Sequence, residues 1–225
     1  MKKSKAILMA LCAVLLVAAS VMGTLAYLTS TDTVTNTFTV GNVKITLDEL
    51  DVDRDTNTDD NVTVGDVTRD KANEYKLLPG HTYTKDPTIH VTAGSEDCYL
   101  FVKVVNEIAA IEAKDTDTSK TSIAAQMEAK GWDVVDPTNG IYVLADEQGN
   151  PVAVPAGRDR VVFDNFTISG TVTNEQLADY AGKTIVIYAY AVQKEGFENE
   201  PASYIWSEAF GETATTPTTE PSPAT

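Results

Sequence analysis

The acidic stretch that follows residue 50 carries the side chains best suited to holding a metal ion. Oxygen-bearing residues alternate along it, at Asp51, Asp53, Asp55, Asn57, Asp59 and Asp60. Calcium loops use oxygen ligands at such alternate positions. If Asp55 is the first ligand, Asn57, Asp59 and Asp66 fall at positions 3, 5 and 12 of a calcium loop. However, Asp60 replaces the turn glycine, and position 12 lacks the longer glutamate. We therefore expect a solvated acidic loop and no cofactor, with calcium binding as the alternative.

Residues suited to catalysis are few. His81 and His90 are the two histidines, and no His-Glu-x-x-His pattern offers a zinc site. Cys98 has no histidine beside it in the sequence, and its chemistry suits a small buried side chain at the start of a strand. No serine lies in a nucleophile-elbow pattern. We predict no catalytic residues and a protein that is not an enzyme.

The charge balance is strongly acidic. The chain has 33 acidic and 17 basic residues, a formal net charge of −16 at pH 7. Such a surface repels a phosphate backbone, and no basic cluster offsets it. Nucleic acid is therefore excluded as an expected partner, whereas an acidic surface favours solubility outside the cell.

The first 26 residues have the pattern of a secretory signal peptide. Lys2, Lys3 and Lys5 precede an apolar run that extends to Met22, and small residues before the Ala26–Tyr27 bond suit cleavage there. We expect residues 1–26 to be removed and the remaining chain to be secreted, with no membrane contact after cleavage. An uncleaved membrane anchor is the alternative, since the apolar run just reaches the length of a membrane span.

The segment of residues 27–40 alternates with a period of two. Threonine occupies every odd position from Thr29 to Thr39, and the even positions carry Leu28, Val34, Phe38 and Val40. Because a strand turns alternate side chains to opposite faces, this segment has one threonine face and one partly apolar face. The pattern predicts a strand, since threonine is a strong strand former.

The remaining chain alternates short strand patterns with turn signals. Strands are expected at residues 43–47, 82–92, 99–105, 132–135, 141–144, 152–154, 160–169 and 184–193. The last is apolar on both faces, which predicts a central strand of a sandwich. Helices are expected at 119–131, capped by Ser119, and at 174–180, whereas 51–74 reads as a surface loop.

These elements predict a mainly β protein, a jelly-roll-like β-sandwich with one or two short helical insertions. The expected domain covers residues 41–210. The tail at residues 211–225 is rich in threonine and proline with almost no apolar content, which predicts disorder.

Three stretches of the chain together carry a resemblance to a known family. The first joins the end of the leader, at residues 23–29, to Asn-Thr-Phe-Thr-Val-Gly-Asn-Val-Lys-Ile-Thr-Leu at 36–47. The second is Leu-Pro-Gly-His-Thr-Tyr-Thr at 78–84, which leads into Tyr-Leu-Phe-Val-Lys-Val at 99–104. The third is Ile-Tyr-Ala-Tyr-Ala-Val-Gln at 187–193, with Trp206 beyond it. Together these stretches resemble the TasA/camelysin family of secreted biofilm-matrix proteins.

The resemblance implies a jelly roll, cleavage by a SipW-type signal peptidase, and assembly into extracellular matrix or biofilm fibres by donor-strand exchange. In such exchange a freed N-terminal segment completes the sheet of the next subunit. Here the matching segment is 27–40, and Leu28, Val34, Phe38 and Val40 would fill alternate pockets. The acidic stretch 51–74 and the tail do not match the family pattern.

Two interpretations remain open for this segment, exchange with another copy or related matrix protein, and pairing within its own subunit. At the level of function, a fibre subunit is the first hypothesis. The alternative is a monomeric cell-surface adhesin or binding module.

Overall fold

The structure is a computed structural model that describes residues 42–53, 62–64, 67–116, 119 and 121–211. The chain divides into two compact units, residues 1–40 and 41–225, and every described residue belongs to the second. The predicted signal peptide, its cleavage bond and segment 27–40 lie outside the described residues, as does the tail beyond Gly211.

The described part of the chain forms twelve strands, a short 3₁₀ turn at Ala109–Ile111, and three α-helices. The strands are Ile45–Leu50 (β1), Val62–Val64 (β2), Val67–Asp70 (β3), Thr82–Thr84 (β4), Thr88–Val91 (β5), Cys98–Asn106 (β6), Trp132–Asp136 (β7), Ile141–Leu144 (β8), Ala153–Val154 (β9), Asp159–Val161 (β10), Asn165–Thr167 (β11) and Ile185–Gln193 (β12). The helices are Ile123–Ala129 (α1), Asn174–Ala178 (α2) and Ala202–Phe210 (α3).

Antiparallel pairing arranges these strands in two main sheets. The first sheet has the order β10-β5-β1-β3-β2, and the second has the order β12-β6-β8-β7, with β9 also paired to β6. Strands β4 and β11 form a small two-stranded sheet. The mainly β prediction is therefore confirmed, and the two main sheets have the arrangement of a β-sandwich.

The principal core lies between the two main sheets. Ile89 and Val91 of β5 pack with Cys98, Leu100 and Val102 of β6 in one buried cluster. The residues of β6 alternate, because a strand turns successive side chains to opposite faces. Tyr99 and Phe101 accordingly point away from this cluster and join a second one.

Helix α3 adds a third layer on the outer face of the second sheet. Its buried residues Ile205 and Trp206 pack in the second cluster with Tyr99 and Phe101. The ring centroids of Trp206 and Phe101 lie 5.5 Å apart. This helix was not predicted from the sequence, so the described residues form three short helices and not one or two.

Several predicted boundaries were wrong. The expected loop 51–74 contains β2 and β3, and the expected strand 160–169 is two strands, β10 and β11. Val162 and Phe163 between them are both fully buried, which a regular half-buried strand does not allow. Helix α1 begins after Ser122 and not Ser119, because the Ser122 hydroxyl accepts the N–H of Ala125 at 3.2 Å.

The largest difference between the predicted and observed fold is the position of β12. The expected central strand at residues 184–193 is instead an edge strand, paired on one side only among the described residues. Its residues are mostly half-buried and not fully buried. The apolar character of both faces has a different origin from the one predicted, since α3 contacts one face near its end and the sandwich core contacts the other.

Candidate functional site

The free edge of β12 is the most conspicuous open feature of the described fold. Its register with β6 is unbroken for nine residues, from Ile185 opposite Asn106 to Gln193 opposite Cys98. No charged residue lies in the strand. Native edges are usually blunted by charge, bulges or shortness, and β12 has none of these protections.

Hydrogen bonds that flank the β12–β6 ladder fix the direction of the free backbone groups. The Lys194 N–H donates to the Asp97 carbonyl at 2.8 Å, and the Glu107 N–H donates to the Thr184 carbonyl at 3.0 Å. In an antiparallel ladder, hydrogen-bonded pairs recur at every second residue. Even-numbered residues of β12 therefore pair with β6, whereas the N–H groups of Ile185, Ile187 and Ala189 point to the free side.

A groove of about 1060 Å³ is lined mainly by residues 70–78 and by residues around α2, and it reaches the first residues of β12 and part of β1. Consecutive residues Ile185, Val186 and Ile187 all line it, so the groove meets the edge of β12 and not just one face. Leu47 and Asp48 line the opposite wall. Because β3 pairs with β1 only at its last two residues, the first half of β1 also has a free side among the described strands. The groove thus borders the free sides of both strands at this end of β12.

Buried charges support the β1 wall. Lys85 Nζ lies 2.5 Å from Glu49 Oε2, and both side chains are at most 9% exposed. The same ammonium lies 5.8 Å from the centre of the Tyr75 ring. Burial raises the pKa of the Tyr75 phenol, and nearby carboxylates led by Glu49 raise it further. Tyr75 therefore stays protonated and donates to the Thr84 carbonyl at 3.0 Å.

Three carboxylates form an acid cluster beside this wall. One oxygen from each of Asp51, Asp53 and Asp70 lies within 4.8 Å of the others. Asp70 Oδ1 accepts the N–H groups of Lys71 and Ala72, at 2.6 and 3.4 Å. Oxygen-only ligands suit a hard cation such as calcium, but the bonds shown stabilise the loop itself.

The acid cluster overlaps only in part with the predicted calcium ligands. Asp55, Asn57, Asp59 and Asp66 all lie outside the described residues. Asp51 and Asp53 belong to the alternating acidic stretch, but Asp70 was not predicted. It reaches them because β3 pairs with β1, a pairing that local spacing does not reveal.

The residues considered for catalysis lie in three separate environments. His81 is exposed, with its ring 4.5 Å from that of Tyr83. His90 lies between Asp48 and Asp159 on the first sheet. Cys98 is fully buried, as predicted, and burial raises the pKa of its thiol to about 11. A protonated buried thiol is a poor nucleophile.

The predicted assembly residues Leu28, Val34, Phe38 and Val40 lie outside the described residues, as do Ala26 and Tyr27. Of the described helices, none is long and apolar enough to cross a membrane. Comparisons with protein families, curated proteins and solved structures give no match to this chain.

Proposed function

We propose that this chain is a secreted, non-enzymatic structural protein whose β12 edge receives a strand of the 27–40 type from another copy, building an extracellular matrix fibre. The observation that carries the proposal is the uncharged nine-residue edge of β12, whose first three residues line the groove. Added strands bind such edges through main-chain hydrogen bonds, and pockets for alternate side chains give specificity.

The size pattern along β12 complements segment 27–40. On the inner face, Ile185 and Ile187 are followed by the small residues Ala189 and Ala191. Small residues leave room beside them for a larger partner such as Phe38. The threonine face of the segment would then lie outward, where hydroxyl groups meet water.

Chain direction separates exchange from pairing within one subunit. The Glu96 N–H donates to the Asn42 carbonyl, just before β1. The next residue, Asp97, accepts the Lys194 N–H through its carbonyl, just after β12. Strand β1 therefore begins at the end of the sandwich where β12 finishes. The segment that ends at residue 40 would therefore run parallel to β12 if it stayed in its own subunit. A second copy is free to supply it antiparallel, which keeps the ladder of the second sheet purely antiparallel.

The sequence supports the same proposal independently of the groove. A leader cleaved after Ala26 by a SipW-type peptidase would free the segment at the N-terminus. The acidic surface suits an extracellular location. The resemblance to the TasA/camelysin family adds related matrix proteins as further partners.

Electron microscopy of four purified chains tests the proposal. The chain from residue 27 onward and its Thr37→Asp variant should form filaments, because Thr37 lies on the threonine face. The Phe38→Asp variant and a chain that starts at Gly41 should not, since a charge in an apolar pocket or a missing strand prevents insertion.

The outcomes separate the alternatives. Filaments from the chain that starts at Gly41 would retain the fibre and refute strand exchange. If all four chains stay monomeric, the proposal fails for self-assembly, and a monomeric adhesin or binding module becomes the better account of the groove.

A further inference from the structure

A row of alternating charges crosses the outer face of the first sheet. His90 of β5 lies 2.7 Å from Asp159 of β10 through Nδ1, and 3.0 Å from Asp48 of β1 through Nε2. Arg69 of β3 bonds to Asp48, and its Nη1 lies 3.1 Å from Asp86. One histidine thus joins three adjacent strands.

The geometry requires a doubly protonated imidazole. A neutral imidazole carries one N–H and one bare nitrogen, so it donates to a single acceptor. Both ring nitrogens of His90 face carboxylate oxygens, and a bare nitrogen would oppose the lone pairs of one of them. Only the imidazolium donates to Asp48 and Asp159 together.

Backbone pairing explains why these side chains meet. The Val91 N–H donates to the Arg158 carbonyl, and the Val162 N–H donates to the Pro87 carbonyl. The pair between them, His90 and Asp159, is therefore a non-hydrogen-bonded pair. Side chains are closest at such pairs. On the other side, Thr46 lies opposite His90, and Asp48 is its diagonal neighbour on β1.

The charged groups around His90 are mixed in sign. Asp48 and Asp159 face it directly, while Arg69 and Asp86 lie one step further along the row. Arg158 and Arg160 flank Asp159 in the sequence, but Arg160 Nη1 donates to the Asp159 carbonyl and not its carboxylate. Lys44 lies just before β1, on the same face as Thr46 by alternation.

We propose that His90 is a pH-sensitive clip that fastens the edge strand β10 to β1 across β5 while it carries its second proton. Because Asp48 also lines the groove, the clip links the sheet edge to the groove wall. Deprotonation leaves one carboxylate facing a bare nitrogen, so that one of the two links is lost. This device goes beyond the proposed fibre role and does not depend on it.

The sign of the pH dependence follows from the surroundings of His90. Burial opposes the imidazolium, but the hydrogen bonds and charges of Asp48 and Asp159 together outweigh it and raise the pKa of His90. A raised pKa in the folded state stabilises the fold fully below the ordinary histidine value of about 6.5. That stabilisation is lost as the pH rises through the raised value.

Histidine NMR of the chain from residue 27, kept monomeric, tests the clip between about pH 5 and 10, a range around the ordinary histidine pKa. The two histidines give two sets of imidazole signals, and a His81→Gln variant assigns them. We expect His90 to titrate above the ordinary histidine pKa of about 6.5, and Asp159→Asn to move its midpoint to lower pH. Asp146→Asn is the matched control, because this exposed aspartate lies in a turn on the other sheet.

A stability profile supplies the second readout. As the pH rises from about 6.5 to the pH at which His90 titrates, the urea concentration at half unfolding should decrease in the native sequence. In a His90→Gln variant it should stay constant over the same range. A His90 midpoint no higher than the ordinary histidine value of about 6.5, or an unchanged midpoint in Asp159→Asn, would overturn the clip whether or not the chain forms fibres.

Discussion

At one edge of the second sheet β12 runs for nine residues without a charge, and at the other edge β7 runs for five residues and carries Asp133 and Asp136. The register of β12 with β6 is continuous, whereas the register of β7 with β8 shifts between Val134 and Asp136. Charge, shortness and a bulge are the usual means of preventing edge pairing. The same sheet thus closes one edge to further strands and leaves the other open.

The β7 edge is also held by a tight turn. Asp136 accepts the N–H groups of Thr138 and Asn139, at 2.9 and 3.2 Å. Gly140 follows with φ +66°, and a Cβ there would lie 2.4 Å from the Val104 carbonyl oxygen. Only glycine suits this position, so the turn between β7 and β8 is closely specified. No comparable feature interrupts β12.

The largest effect expected from the comparison concerns assembly. Ala189→Lys places a charge on the inner face of the open edge, and we expect the protein concentration needed for filaments to rise by about tenfold or more, as for loss of a central interface residue. Val134→Lys is the matched control at the closed edge, where Val134 is already 51% exposed. Sedimentation measures both, with circular dichroism to verify folding. Equal loss of filaments in both variants would refute the distinction between the edges.

The next largest effect concerns the helix that covers the sheet between its edges. Trp206→Ala removes a buried ring that contacts Phe101 and Tyr190, and should lower the free energy of unfolding by about 3–5 kcal/mol. Tyr204→Ala on the same helix is the control, because Tyr204 is 45% exposed and should change stability by less than about 0.5 kcal/mol. Urea unfolding measures both. Similar losses in the two variants would show that α3 is not anchored as described.

A smaller effect should follow when the closed edge is made to resemble the open one. Replacing Asp133 with threonine and Asp136 with asparagine removes both charges, while the asparagine oxygen still accepts the N–H groups that hold the turn, so we expect slight lateral association at high protein concentration. Light scattering measures this association at neutral pH. An unchanged signal would mean that the bulge alone protects β7.

Acid should also promote association at the closed edge, because it removes the negative charge of Asp136. Hydrogen bonds from the side chain and N–H of Asn139, and from the N–H of Thr138, lower the pKa of Asp136. The stabilisation that ionised Asp136 gives the turn is therefore fully present above the unfolded aspartate pKa of about 3.9, and it is lost as the pH falls through the lower folded pKa. Association that begins above pH 4 would contradict this assignment.

The smallest effect concerns one hydroxyl on β12. The Tyr190 hydroxyl is buried with no hydrogen-bond partner among the described residues, so Tyr190→Phe should be neutral or stabilise the fold by up to about 1 kcal/mol. Tyr75→Phe is the matched control, since it removes a hydroxyl that donates to Thr84 and should cost up to about 1 kcal/mol. The same sign for both in urea unfolding would contradict the assignment.

Local patterns predicted most strands but not their neighbours. The alternation of β6 and the apolar run of β12 gave nearly the observed bounds, because both depend on residues adjacent in sequence. The position of β12 at an edge depends on which strands lie beside it. An uncharged edge strand packed on both faces has the same composition as a buried central strand, so its composition misled the prediction.

The missed elements have related causes. Helix α3 is short, and its apolar residues Ile205, Trp206 and Phe210 are too few to establish a helical period. The Lys85–Glu49 pair and the meeting of Asp70 with Asp51 arise from strand pairing between distant residues. In the expected loop, Val62, Val64 and Val67 were the available signal for β2 and β3, and the surrounding acidic residues obscured it.

Amide hydrogen exchange tests most directly whether the β12 edge receives the segment. The ¹⁵N-labelled chain from Gly41 would be measured alone and with a synthetic peptide of residues 27–40. We predict that the N–H groups of Ile185, Ile187 and Ala189 exchange about tenfold more slowly or better with the peptide, while those of β7 do not change. Unchanged exchange along β12, or equal protection of β7, would contradict the account.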